Sequence, residues 1–380
     1  MKVLYFHNSI PEYRKELFMQ LSCYIDDIMF VFTNLEYSKT VYNTEVDKNI
    51  LNRLCYKILT NNWSCISETK KIIKSYNPDI IILPALDTLR ELVICKTILS
   101  CVNDDVGIVY FWEKWDAPLE YSTWYKRIKN FIQASAARVV FREVDEFLAP
   151  GTKTKQYFEK NGVPSKHINI FHDVSTVNVC ECIDLRKELN IASSTKIILY
   201  YGRIIKRKGL DLLIKAIHNL NSCYDMYLIV AGDGDYKNNC VKLAEDLDLE
   251  NIKFVGYVHP SQKYNYFSQS DIFVLPSIAD KGVIEAWGLT INEAIIADNF
   301  IVCSDIVGAG YDLVNHNNGV IYKQNDLNSL CKAIEMAVKM CGNSEMRQYN
   351  KFISKEYTYE TMCNDFIHVF DKTLKTRRNK

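Results

Sequence analysis

The chain has 380 residues, long enough for two domains of ordinary size, each with its own core. Its composition, 48% hydrophobic and 24% charged, is that of a water-soluble globular protein, and no stretch approaches the apolar length of a membrane-spanning helix. The 46 basic residues equal the 46 acidic ones, which leaves no broad basic field for indiscriminate binding of nucleic acid.

The first residues, 3–6, form a short apolar run that reads as a strand, not as a signal peptide. Further strands are expected at 28–32, 80–83, 106–111, 139–141 and 168–171, with helical patterns between most of them, as at 12–23 and 91–101. Strands separated by helices imply a parallel sheet with right-handed crossovers. A polar stretch without periodicity at 174–183 reads as a linker. The same alternation then resumes with strands at 197–201, 227–231, 252–255, 272–275 and 300–303. The expected fold is therefore α/β, with two Rossmann-like domains over 1–175 and 184–350. A helix follows over 351–374, then a disordered basic tail over 375–380. The 13 cysteines are scattered. Several, such as Cys95, Cys303 and Cys331, sit in apolar runs and read as small core residues in a reducing compartment, which points to the cytoplasm. Cys180 and Cys182 stand too close together and too isolated for a zinc knuckle.

Candidate chemistry concentrates in the second half. Gly202 and Arg203 end an apolar run, and Lys208-Gly209 precede a helical pattern, so Arg203 and Lys208 occupy a strand-to-helix connection. Ligands of open α/β sheets bind at such connections, and an arginine fork with a mobile lysine charge suits a diphosphate. Either cation alone would read as a solvated loop charge. The turn Gly232-Asp233-Gly234-Asp235 follows the next strand, and its small residues would let a base or ribose approach the backbone. In the stretch 285–293, Glu285 and Glu293 lie eight positions apart, with Gly288, Leu289 and Thr290 leading into a helix. The N–H groups of that first helical turn would meet an anion, and Glu293 could accept hydrogen bonds from a vicinal diol such as a ribose. The plainer reading makes Glu293 a helix cap and Glu285 a solvated loop carboxylate.

Gly202-Arg203, Lys208-Gly209, Gly232-Asp233-Gly234, Phe254-Val255-Gly256, the run from Asp271 to Ser277, the Glu285 to Glu293 stretch and Asn318-Gly319 come in a telling order and spacing. Over roughly 195–325 the chain resembles the retaining GT-B glycosyltransferases of family 4. The resemblance implies two Rossmann-like domains facing across a cleft, with a final helix crossing back to the first domain. It implies that Arg203 and Lys208 grip a donor diphosphate, that Glu293 binds the ribose, and that Glu285 lies on the sugar side. Gly202, Gly232, Gly234, Gly288, Leu289 and Thr290 would line the same nucleotide-sugar site. The family's glycine-proline turn after that helix is replaced here by Asp298-Asn299-Phe300. In the first domain, Asn8, Pro11, Tyr13 and Arg14 resemble a branch that lacks paired glycines after the first strand. Where relatives place a His or acidic residue near the reacting sugar, this chain has 112–116, with Glu113 the first candidate and Asp116 the second. Local pairing with Lys114 would explain these carboxylates equally well.

The implied activity is retaining transfer of a sugar from a nucleotide-diphosphate sugar, UDP by family frequency and GDP as the other option. The implied acceptor is a hydroxyl of a glycan or lipid-linked molecule in surface polysaccharide or glycolipid synthesis. Asp233-Gly234-Asp235 matches a metal-carrying pattern of another glycosyltransferase fold, but its place in a turn beside two cations leads us to expect no essential metal and no other cofactor. A basic amphipathic pattern over 121–133 and five basic residues in 372–380 raise peripheral contact with anionic lipid, although such a stripe more often packs on its own sheet. Two other classes fit the scaffold: a nucleotide-sugar 2-epimerase, whose additional acid/base pattern is not found, and a non-catalytic partner subunit, which would be expected to lose the donor residues.

Overall fold

The computed structural model describes residues 1–35, 48–175 and 183–378. Most of the expected linker, with Cys180 and Cys182, lies outside them. The chain divides into two compact units. One comprises Met1–Trp115, Arg127–His172 and Tyr359–Lys380; the other comprises Asp116–Lys126 and Asp173–Thr358. Each is a Rossmann-like parallel sheet with interleaved helices, an α/β fold.

The first unit carries seven strands: β1 Lys2–His7, β2 Asp27–Phe32, β3 Tyr56–Ile58, β4 Ile80–Leu83, β5 Gly107–Phe111, β6 Glu146–Pro150 and β7 Ile168–Phe171. They pair in the order β3-β2-β1-β4-β5-β6-β7, all parallel. Val3, Leu4, Tyr5 and Phe6 are buried in succession, and so are all four residues of β4, as strands covered on both faces require. Helix α1 is Lys15–Tyr24 and α2 is Trp124–Phe141. The strand expected at 139–141 is thus the last turn of α2. Val139 is exposed there while Val140 and Phe141 are buried, a helical pattern that a three-residue apolar run cannot distinguish from a strand. Phe141 packs with Phe147 and Phe158 at ring separations of 5.2 and 5.5 Å.

The strand that replaces it, β6, opens on a buried charge. Glu146 accepts hydrogen bonds from Lys372 Nζ at 2.7 Å and Asn169 Nδ2 at 2.8 Å, with His167 Nδ1 at 3.2 Å. Neighbouring Asp145 accepts from the Ile108 N–H and from Arg377 Nε, both at 2.8 Å. These cations come from the terminal helix, Tyr359–Arg378, which packs Phe366 against Phe111 and Phe171. Gly107 admits that helix: a Cβ there would lie 2.6 Å from Thr373 Cγ2. The tail expected to be disordered from 375 is therefore helical through Arg378, because Arg377 is seated on a buried carboxylate.

The second unit has six strands: β8 Lys196–Tyr201, β9 Met226–Ala231, β10 Ile252–Gly256, β11 Ile272–Leu275, β12 Phe300–Ser304 and β13 Gly319–Tyr322. Their order is β10-β9-β8-β11-β12-β13, again all parallel. Helix α3, Leu210–Leu220, follows β8 and buries Leu210, Leu213, Ile214 and Ile217, each contributing about 1.5–3 kcal/mol of burial. Helix α4, Thr290–Ile296, has seven residues and lies between β11 and β12. The turn after α4 forms without glycine: Asp298 takes φ 61°, and Asn299 anchors it by donating to the carbonyls of Phe267 and Ser270 at 2.9 and 2.6 Å.

Candidate functional site

In the second sheet the chain reverses its direction of progress between β8 and β11, the switch point at which open α/β sheets bind ligands. The loop after β8 carries Arg203 and then a 3-10 turn, Lys206–Lys208, that ends at Gly209. The loop after β11 carries Glu285. These two loops meet in one cluster. Glu285 Oε2 accepts from Lys208 Nζ at 2.6 Å, from Arg207 Nη1 at 2.9 Å and from Ser277 Oγ at 3.3 Å. All three charged side chains are about 15% exposed. Burial pushes the Glu285 carboxyl up, but the Lys208 and Arg207 charges outweigh it and hold its pKa at about 2. Burial also lowers the pKa of Lys208, with Glu285 opposing that shift. Glu285 is thus an ionised, partly buried carboxylate held by two cations, not the solvated one of the plainer sequence reading.

Glu293 lies in the first turn of α4 and is also buried. Its Oε1 accepts from Lys263 Nζ at 2.6 Å and from Ser175 Oγ at 2.7 Å. Asn292 beside it is fixed on both sides, donating to the Asp173 carbonyl at 2.9 Å and accepting from Trp287 Nε1 at 3.1 Å. Each glutamate is therefore held by a lysine from another segment. Gly288 precedes α4 at φ 103°, and Leu289 and Thr290 supply the start of the helix. The first turn leaves N–H groups without partners inside the helix.

The glycines after β9, Gly232 and Gly234, pack against the backbone of the loop after β8. A Cβ on Gly232 would stand 1.8 Å from the Gly202 carbonyl oxygen, and one on Gly234 would stand 2.3 Å from that of Ile204. Ile204 N–H donates to the Asp233 carbonyl at 2.8 Å, so the two turns are stitched backbone to backbone. Their smallness is required by that packing whether or not a ligand comes near. Asp233 is engaged locally, by Lys237 Nζ at 2.9 Å and the Gly234 N–H at 2.8 Å. Beside these turns lies a cavity of about 430 Å³, lined by Lys206, Arg207, Asp235 and Tyr236 and by the Asp280–Val283 segment.

In the first unit, Glu113 follows β5 and pairs with Arg14, which follows β1. Arg14 is almost fully buried, with its guanidinium 5.0 Å from the centre of the Phe111 ring. His7, at the end of β1, has its pKa lowered to about 3, by burial first and by the Arg14 charge second. It is neutral near pH 7 and its Nδ1 hydrogen-bonds the Ser9 carbonyl at 2.7 Å. Lys114 Nζ donates to Gln133 at 3.3 Å.

The structure thus brings together Lys208 and Glu285, and adds Arg207 to them; it ties Glu293 to Lys263 and Ser175. Sequence reading passed over Arg207, Lys263 and Ser175. The run Lys206-Arg207-Lys208 was a visible signal for the first of these, whereas no local pattern marks the other two.

Residues 183–356 match the family model described as glycosyl transferases group 1. An uncharacterized glycosyltransferase of Methanocaldococcus jannaschii is 25% identical over 195 residues, 50% of this chain and 48% of that protein. The chain spans about half the length of the first curated relatives it matches. An O-antigen biosynthesis glycosyltransferase of Escherichia coli is 25% identical over 257 residues, 66% of this chain and 67% of that protein. Among solved structures, Anabaena HepE in complex with UDP superposes with a TM-score of 0.75 at 16% identity, covering 98% of this chain and 100% of that one. The same protein has also been solved with UDP-glucose. The fold is shared along the whole chain, and the sequence match centres on the unit that carries Lys208, Glu285 and Glu293.

Proposed function

We propose that this chain is a retaining glycosyltransferase of family 4 that moves a sugar from a UDP-sugar to a hydroxyl of a glycan or lipid-linked acceptor. The proposed setting is cell-surface polysaccharide or glycolipid synthesis at the cytoplasmic side of a membrane. The observation that carries this reading is the convergence of Lys208 and Arg207 on Glu285 at the β8/β11 switch point, with Glu293 buried at α4. UDP is favoured over GDP because the similar Anabaena protein was solved with UDP.

In this mechanism Lys208 exchanges Glu285 for the donor diphosphate, joined by Arg203 and Arg207. Glu285, released toward the sugar, orients its hydroxyls. Glu293 exchanges the Lys263 and Ser175 contacts for the ribose diol. The bond from the anomeric carbon to the phosphate oxygen breaks as the acceptor oxygen bonds to that carbon. The departing phosphate takes the acceptor proton, so the sugar keeps its configuration. Negative charge grows on the diphosphate during this step, and preorganised cations aimed at it contribute about 3–4 kcal/mol each to lowering the barrier. With three basic side chains at that position, the proposed reaction needs no metal ion.

The test is thermal stability of the purified chain against UDP, GDP, ADP and CMP and their sugars, with and without Mg²⁺. A ligand at a hundredfold excess over its dissociation constant stabilises by about 2.7 kcal/mol. The expected result is a shift with UDP and UDP-sugars that is indifferent to Mg²⁺ and lost in Glu293→Ala. No shift with any nucleotide would remove the transferase reading.

A further inference from the structure

Helix α2 is a basic amphipathic segment that the proposed reaction leaves unused. It carries Lys126, Arg127, Lys129 and Arg138 and no acidic residue, in a chain whose charges cancel overall. The stripe on it does not pack on its sheet: only Ala137, Val140 and Phe141, at its end, are buried. Trp124, Tyr125, Ile128, Phe131, Ile132 and Val139 are each more than half exposed, Trp124 by 74% and Phe131 by 68%. Six of the eighteen large hydrophobic side chains exposed among the described residues therefore sit on one helix. At about 100° per residue they fall within roughly a third of the helix circumference. Arg127 and Arg138 fall along one margin of that arc and Lys129 along the other.

The C-terminal end of α2 borders a second feature. A cavity of about 500 Å³ is lined by Arg138, Arg142, Lys160 and His167 together with Asn161 and Phe141, and no carboxylate belongs to its lining. Arg138 Nε donates to Asn161 at 3.2 Å, and His167 Nδ1 lies 3.2 Å from Glu146 behind the cavity wall. Four basic side chains around one cavity suit a phosphate group.

We propose that α2 is a docking surface for an anionic phospholipid bilayer. Its Trp124 to Val139 stripe enters the headgroup and acyl boundary, its marginal cations meet the anionic surface, and the cavity at its end receives a headgroup phosphate. Charge selects this occupant: an eighteen-residue helix with four cations and no anions complements a negative surface, and its exposed aromatic end suits the interfacial zone. At about 1.5 Å per residue the helix is about 27 Å long, a convex ridge and not a groove for a peptide. No helix among the described residues is long and apolar enough to cross a membrane, so contact of this kind would be peripheral. The inference extends the proposed function by naming the surface through which a lipid-linked acceptor would be met. It is read by lipid binding, so it stands or falls separately from sugar transfer.

The experiment is co-sedimentation of the full chain with vesicles of phosphatidylcholine alone or mixed with phosphatidylglycerol. Size-exclusion chromatography over a range of protein concentrations runs alongside. We expect sedimentation only with the mixed vesicles, weakening as salt rises. The apolar variant Phe131→Ala/Ile132→Ala should weaken binding at least about tenfold, and the cavity variant Arg142→Gln/Lys160→Gln should weaken it less. Both variants alter exposed residues outside the nucleotide site, so both should keep the wild-type melting temperature and nucleotide shift. Binding to neither vesicle, or equal binding by wild type and the apolar variant, would overturn the proposal. So would a concentration-dependent dimer abolished by the same apolar substitutions, which would make the face a self-association surface.

Discussion

The two units present the same kind of sheet edge and charge it differently. In the second, Arg203, Arg207 and Lys208 all lie on the loop after β8, and Arg207 and Lys208 converge on the single carboxylate Glu285. In the first, one guanidinium, Arg14, meets one carboxylate, Glu113, beside a neutral His7. The first cluster keeps an excess of positive charge after its internal pairing, while the second balances itself. Under the proposed function the unit with that excess is the one that takes the dianionic diphosphate, and the balanced one takes the neutral acceptor hydroxyl. Arg14 pairs with Glu113 and holds that carboxylate in place.

The difference should be largest when each carboxylate cluster is broken. Glu285→Ala leaves Lys208 and Arg207 facing each other in a site about 15% exposed, and removing one partner from a buried pair costs about 3–5 kcal/mol. Denaturant unfolding should register that loss, and UDP binding should restore much of it, since phosphate replaces the missing negative charge. A variant as stable as wild type would mean that the cluster is open to water. Arg14→Met should cost less, about 1–3 kcal/mol, because the Glu113 it leaves behind is 24% exposed and can recruit solvent. Its melting temperature should not respond to UDP differently from wild type. If it does, the two edges are coupled.

Acid should separate the units. His7 has a folded pKa of about 3, below its ordinary value of 6.5, so the unfolded state binds the extra proton between those values. The stability it contributes is complete above about pH 6.5 and is lost as pH falls toward 3. Glu285, held at about 2, also has a depressed folded value, but its window opens only below the ordinary carboxylate range, near 4.5. Hydrogen exchange between pH 7 and 5 should therefore show β1 losing protection before β8, and His7→Gln should remove that early loss. Simultaneous loss in both strands would contradict the assignment.

Much of this was legible in the sequence, and the failures have local causes. Strands buried on both faces read as continuous apolar runs, which is why β1, β4, β8, β9, β11 and β12 were visible. Strand β6 was hidden because it opens on Glu146, a charge made tolerable by Lys372, Asn169 and His167, all more than twenty residues away. The run 139–141 drew the strand assignment instead. Glu285 and Lys208 were legible as members of motifs, but not as each other's partners across 77 positions, and nothing local links Lys263 to Glu293. The resting pairs of a site are tertiary facts. A motif marks residues that meet a ligand and is silent on what holds them before it arrives.

The smallest effect concerns the turn after α4, where the sequence departs from the pattern it otherwise resembles. Asp298 holds φ 61°, a left-handed conformation that a side chain with a Cβ adopts at a cost of about 1–2 kcal/mol. Glycine takes it freely but gains flexibility in the unfolded chain, which returns about 0.5–1 kcal/mol of that advantage. Asp298→Gly should therefore stabilise the second unit by about 0.5–1 kcal/mol without changing the UDP shift, because the turn is already fixed by Asn299 on the Phe267 and Ser270 carbonyls. Burial also raises the Asp298 pKa, so its removal takes away a charge that the fold disfavours. A destabilised Asp298→Gly would mean that the carboxylate does more for the turn than its backbone strain costs, with Arg347 and Lys351, the two cations that act on it, as the groups to test next.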